Sequence, residues 1–166
     1  DVSLWTDVII CDYNYLFDPN VYLKRFFSEG IKGDYLFLVD EAHNLVDRAR
    51  EMYSAVLYKE DFLQLKKVMK THSRKCAQAL ERCNKHMLEL KRQCEDYQVL
   101  DGIGDLVFSL MKLGAALDEF FQKDSSFPEK KDLQEFYLKV RHFLNMYARA
   151  DENYVVYTEQ EREKRF

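Results

Sequence analysis

The chain has 166 residues, 47% of them hydrophobic and 14% aromatic, with only 5 Gly and 2 Pro. That suits one packed domain, or one domain with part of another, and excludes a turn-rich β architecture. Acidic residues outnumber basic ones by 29 to 25, for a net charge of -4, which excludes nucleic-acid binding driven by global charge but leaves room for a local basic face.

The chain opens Asp1-Val2-Ser3-Leu4-Trp5, without Met and without a basic leader, as expected for a piece of a longer protein. Residues 7–12, Asp-Val-Ile-Ile-Cys-Asp, read as a buried strand. Residues 35–39, Tyr-Leu-Phe-Leu-Val, read as a second, and the apolar continuity of both suits a parallel sheet covered on both faces. Between them, Pro19 to Phe27 followed by Gly30 predicts a short crossover helix. The first ~45 residues therefore predict a β-α-β unit of a nucleotide-binding α/β domain.

From residue 60 the periodicity changes. Phe62, Leu65, Met69, His72, Cys76, Leu80, Cys83, Met87, Leu90, Cys94 and Tyr97 recur every three or four positions, which predicts one helix of roughly ten turns. Asp101-Gly102-Ile103-Gly104 predicts a turn. A second stripe follows through Ile103, Leu106, Val107, Leu110, Leu113, Leu117, Phe120 and Phe121, then a loop over 123–128. A third helix is expected over about 131–151, with Leu133, Phe136, Tyr137, Val140, Phe143, Leu144 and Tyr147 inward, and a short strand over 154–158. The expected fold class is α+β, mainly α. It divides into residues 1–50, a helical bundle of about three long helices over 51–158, and a polar tail over 159–166.

Chemistry concentrates at Leu38-Val39-Asp40-Glu41-Ala42-His43-Asn44. A strand that delivers two carboxylates at its C-terminal end places them where open α/β sheets bind ligands. Hydrolysis of a nucleoside triphosphate needs one carboxylate for Mg²⁺ and a second group to position the attacking water. Asp40 is the candidate for the metal, Glu41 for the water, and His43 for a link to a neighbouring domain. An Asp-Glu pair is also ordinary at a helix N-terminus, where acids suit the dipole; the preceding apolar run and the following Ala-His favour the functional reading.

Asp40-Glu41-Ala42-His43 resembles motif II of superfamily 2 helicases. Together with Ala42 to Leu45 and the run from Asp7 to Pro19, it is similar to the XPD/DinG-type iron–sulfur DNA helicases, closer to the DinG-like bacterial members. The resemblance is specific over 7–47 and architectural over 60–152, where that family carries a helical insertion, the Arch domain. It implies a RecA-like motor domain for the β-α-β unit, ATP and Mg²⁺ as cofactors, 5′-to-3′ unwinding, and single-stranded DNA guided past the Arch. It implies as partners that DNA, the remaining helicase domains and regulatory proteins on the Arch. The compartment would be a bacterial-type, nucleoid-associated cytoplasm, or the nucleus in a eukaryote. No Gly-x-x-x-x-Gly-Lys-Ser/Thr occurs, so this chain alone is expected to be inactive. No apolar run approaches the ~20 residues of a membrane span, so no membrane partner is expected.

Cys76, Cys83 and Cys94 are seven and eleven positions apart, too far along one helix to meet around one metal; with Cys11 they read as buried small hydrophobes. An iron–sulfur cluster in the longer protein would not be ligated here. Lys66, Lys67, Lys70, Arg74 and Lys75 form a basic helix face, either simply solvated or a backbone contact for single-stranded DNA. Tyr13, Asn14 and Tyr15 are candidates for the same DNA through base stacking, against packing of Tyr15 into the sheet layer. The rival function is a helical protein-interaction module with no catalytic role.

Overall fold

The computed structural model describes residues 2–28, 33–123 and 127–160. The chain divides into two compact units, Asp1–Ser54 and Ala55–Phe166. The fold class is α+β and mainly α.

In the first unit the helices are short: α1 (Asn14–Phe17), α2 (Lys24–Phe27) and α3 (Leu45–Met52). The two expected strands do not form. Residues 7–12 and 33–39 are without regular structure and belong to no ladder among the described residues. A strand needs a neighbour to take its N–H and C=O groups, and neither segment has one here. Their side chains show the same lack: Ile10 is 96% and Leu38 90% exposed. The crossover helix shrinks to the single turn of α2, and its expected end at Gly30 lies outside the described residues. Met52 and Pro19 are the buried described residues of this unit.

The second unit carries the core. Its helices are α4 (Lys59–His72), α5 (Arg74–Gln93), α6 (Gly104–Phe121) and α7 (Lys130–Arg149). Successive helices pack on one another. The ring is closed by Phe62 of α4, edge-on to Phe136 of α7 at 4.9 Å, and by Lys139 reaching Asp61 at 3.8 Å. Phe62, Met69, Leu80, Leu110, Leu113, Leu117, Leu133 and Val140 are fully buried in one cluster. Each stands on the apolar stripe that the three-and-four spacing marks.

The expected ten-turn helix is two helices. The break is at Ser73, in extended geometry (φ -153°, ψ 108°), whose side chain accepts from the Cys76 N–H at 3.3 Å and caps α5. The stripe continues across the break because each helix keeps its own apolar face toward the same core. Four long helices therefore stand where three were expected. Helix α5 also ends earlier, at Gln93, with Cys94 as its buried C-cap. Tyr97 lies in a strand instead: β1 (Tyr97–Val99) pairs antiparallel with β2 (Tyr157–Glu159), Gln98 opposite Thr158. The ribbon is fixed by Gln160, whose side-chain amide donates to the Lys91 and Cys94 carbonyls at the end of α5. The expected strand over 154–158 thus begins at 157, and Glu159, assigned to the polar tail, belongs to it. Residues 161–166 of that tail and 124–126 of the expected loop lie outside the described residues. No helix among the described residues is long and apolar enough to cross a membrane.

Ser73→Ala separates the two descriptions of residues 59–93. In a continuous helix, alanine would add roughly 0.5 kcal/mol of helix propensity. At a cap it should destabilise by about 1 kcal/mol, read as a lower midpoint in urea unfolding; a midpoint that rises would restore the single helix.

Candidate functional site

Asp40 and Glu41 stand at the turn between the irregular segment 33–39 and a 3-10 turn, Ala42–Asn44, that runs into α3. The Asp40 carboxylate folds back on its neighbour, its Oδ1 accepting the Glu41 N–H at 2.8 Å. Glu41 has φ 50° and ψ 38°, in the left-handed region. A residue with a Cβ pays about 1–2 kcal/mol to stand there, and such strain is found where a site needs a particular side-chain direction. The Glu41 carbonyl accepts from the Asn44 N–H at 2.9 Å, which starts the helix. Its carboxylate Oε2 lies 3.3 Å from His43 Nε2, with both side chains mostly in solvent. Asp40, Glu41 and His43 are thus brought together by one local turn.

Within the turn, the hydrogen bond that Asp40 accepts is at Oδ1. A single hard oxygen donor fits Mg²⁺, which retains waters and shares itself with substrate phosphates rather than entering a protein cage. Among the described residues no cluster of three or more His, Cys, Asp or Glu side chains is arranged to hold a metal. This chain's share of a magnesium site would be that one carboxylate.

Tyr13, Asn14 and Tyr15 open α1. Asp12 Oδ1 accepts the Asn14 N–H at 2.9 Å and Asp18 Oδ1 accepts the Asn20 N–H at 2.8 Å, so two aspartate turns bracket the helix. Tyr15 is 47% exposed, and its carbonyl accepts from the Leu23 N–H at 2.8 Å. With no sheet layer formed, Tyr15 is not packed into one. Tyr53, the residue that follows α3 and that sequence reasoning passed over, reaches this segment. The Tyr53 hydroxyl donates to the Phe17 carbonyl at 3.0 Å. The Arg48 guanidinium meets the Tyr13 phenol, and Tyr13, then Glu51, holds it charged above its usual range. In sequence Arg48 is one more charge in Asp47-Arg48-Ala49-Arg50-Glu51, and no local pattern sets it apart.

The five basic residues do not act alike. Lys66 on α4 pairs with Glu81 on α5, and Lys75 on α5 pairs with Glu119 on α6, which holds that carboxyl below its usual range. Lys67, Lys70 and Arg74 carry no ion pair among the described residues. Lys70 and Arg74 line an open groove of about 280 Å³ with Lys66, Ala77, Gln78 and Glu81, across the α4–α5 turn-back. Lys67 is not among its lining residues.

Cys76, Cys83 and Cys94 are buried as expected; Cys11 is not. Cys11 lies in the unpaired 7–12 segment, so the missing ladder exposes it. Cys76 Sγ donates to the Ala116 carbonyl at 3.3 Å and Cys94 Sγ to the Thr158 carbonyl at 3.5 Å. Burial pushes the Cys76 thiol up and the Cys83 thiol up to about 12.

Residues 3–62 match the DEAD_2 family. The Fanconi anemia group J protein homolog of Gallus gallus is 39% identical over 54 residues, which cover 32% of this chain and 4% of that protein. No solved structure matches. The family match includes the Asp12–Asp18 bracket and the Asp40–His43 turn, whereas most of the helical bundle lies beyond it.

The thiols provide a test of the burial pattern. In the native chain a small alkylating reagent at pH 8 should modify Cys11 quickly and the other three only after denaturant is added, as counted by mass spectrometry. A thiol whose folded pKa is raised stabilises the fold fully below the unfolded value, ~8.5. Stability from Cys83 should therefore fall as pH rises from about 8.5 toward 12, and a Cys83→Ser variant should lose that part of the slope.

Proposed function

We propose, on the premise that this chain belongs over residues 3–62 to the XPD/DinG-type helicases, that it supplies the hydrolytic turn and the DNA-guiding helical insertion of an ATP-dependent 5′-to-3′ DNA helicase. The observation that carries the reading is the turn itself. Two adjacent carboxylates leave an apolar segment, the second in a left-handed backbone conformation, directly before a helix. In the longer protein Asp40 would hold Mg²⁺ through water, and Mg²⁺ would neutralise charge on the phosphates. Glu41 would orient and deprotonate the attacking water, with His43, in contact with Glu41 here, relaying the state of the site to the adjoining domain. The phosphate loop comes from sequence outside this chain. The helical unit, Ala55–Phe166, follows the turn in sequence as an Arch insertion would follow motif II, and its open groove with Lys70 and Arg74 suits a phosphate backbone read without base contacts. Tyr15, exposed beside the aspartate turns, suits stacking by an unpaired base. Phe108 and Met111, one turn apart and exposed on α6, favour a protein contact by the same unit.

Glu41→Gln in the full-length protein should lower ATP turnover about 10²–10⁴-fold, the range for loss of a general base, while nucleotide binding persists. Turnover near the wild-type rate in that variant would remove the assignment. Lys70→Ala with Arg74→Ala should weaken single-stranded DNA binding and flatten the plot of log Kd against log salt by about 1.4, at ~0.7 per phosphate contact on a single strand. An unchanged slope would leave the groove a solvated helix face.

A further inference from the structure

We propose that the outer edge of β1 is a docking site for a partner protein, and that its occupant is an extended segment with alternating apolar side chains and a Lys or Arg at each end. The proposal stands on the helical unit by itself and does not depend on the helicase reading.

The β1–β2 ribbon has two unlike faces. Gln98 stands opposite Thr158, and the bonds from Leu100 N–H to the Val156 carbonyl and from Gln160 N–H to the Asp96 carbonyl continue the same register on either side. Directly opposed residues put their side chains on one face. Leu100 and Val156 thus share a face, and both pack on the helical core. Tyr97, Val99 and Tyr157 lie on the other, joined by Val155 two residues before Tyr157. All four are exposed, by 47% to 61%. The Tyr97 and Tyr157 rings, 5.1 Å apart, make the patch continuous. Apolar surface gathered in this way marks a contact site.

The edge beside that patch is open. Asp96, Leu100, Val156 and Gln160 bond inward across the ribbon, so the N–H and C=O groups of Tyr97 and Val99 point the opposite way, away from β2. They meet no backbone partner among the described residues. Open main-chain groups beside exposed apolar side chains are what an added strand pairs with.

Charge decides which strand that is. Glu95 and Asp101 stand two residues beyond either end of β1, and Glu159 lies opposite Tyr97 on the apolar face. All three are exposed and carry no ion pair among the described residues. They oppose a second copy of the chain: two β1 strands paired antiparallel about Gln98 would set Glu95 of each against Asp101 of the other. They favour a segment that ends in Lys or Arg, because opposite charges across a strand pair stabilise it and like charges destabilise it.

The test measures binding of a dye-labelled peptide, Lys-Thr-Val-Thr-Val-Thr-Lys, to the full-length protein by fluorescence anisotropy, with thermal unfolding alongside. The lysine-ended peptide should bind about tenfold more tightly than the same peptide ended in glutamate, the change expected when two cross-strand pairs turn from attraction to repulsion. Its valines fall opposite Tyr97 and Val99, so N-methylation of both valines should abolish binding, whereas N-methylation of the central threonine should not. Val99→Lys should remove binding at unchanged Tm, since that side chain is 56% exposed; if Tm falls, the methylated peptides decide alone. Equal binding of the lysine-ended and glutamate-ended peptides, binding of neither, or binding that survives methylated valines would overturn the proposal. So would a concentration-dependent dimer that Val99→Lys dissolves, which would give the edge to a second copy.

Discussion

An α-helix closes its own backbone hydrogen bonds, whereas the N–H and C=O groups of a strand need a neighbouring strand, and this asymmetry governs how the chain divides. The helices of Ala55–Phe166 satisfy themselves and need only bury their stripes, which α4 to α7 do against one another. The one strand pair in that unit is completed within it, by residues 97–99 and 157–159 closing on each other. Residues 7–12 and 33–39 have strand composition and no ladder partner among the described residues, so they take no regular structure and leave Ile10 and Leu38 in solvent. What order the first unit has comes from local devices: aspartate turns at Asp12 and Asp18, the turn at Asp40, and the helix that follows it.

The legibility of the sequence follows the same division. Most inward residues of α6 and α7 follow the expected three-and-four spacing, because a helix on a core needs little more than that period; Ser109, Gly114, Ala116 and Met146 are buried as well and fall outside the expected stripes. The spacing of Phe62 to Cys94 was equally visible, but periodicity does not tell one long helix from two that fold back on the same core. The deciding signal is one hydroxyl, Ser73, followed three residues on by the N–H it caps. Tyr97 reads as helix on spacing and becomes strand because residues 157–159 pair with 97–99, Tyr97 opposite Glu159 and its ring 5.1 Å from that of Tyr157, a pairing at a sequence distance that no local window samples. The failed strands at 7–12 and 35–39 belong to the same class: the composition is right, and the partner is not a property of the segment.

The candidate site was legible where it is local. Asp40, Glu41 and His43 fall within four consecutive residues, and a turn of that length needs no tertiary contact to bring them together. The left-handed Glu41 is not visible in sequence, since glutamate is not a residue that announces such a conformation. Tyr53 was invisible for the opposite reason: what sets it apart is its hydrogen bond to the Phe17 carbonyl, across a stretch of chain that sequence alone cannot fold.

Charge on the helical unit is decided by pairing rather than by composition. Lys66 and Lys75 look identical to Lys70 and Arg74 in sequence, yet each is neutralised by a carboxylate on the next helix, Glu81 and Glu119. These pairs also pin α4 to α5 and α5 to α6, so their cations are committed to the bundle. What remains near the α4–α5 turn-back is a short run of cations without an ion pair among the described residues, Lys67, Lys70 and Arg74, on a chain whose net charge is -4. At physiological salt the screening length is about 8 Å, so a phosphate in the Lys70–Arg74 groove feels those two side chains and little of the acidic remainder. A locally basic groove can therefore serve a polyanion without the molecule as a whole attracting one, the Glu81 carboxylate at its wall being paired with Lys66.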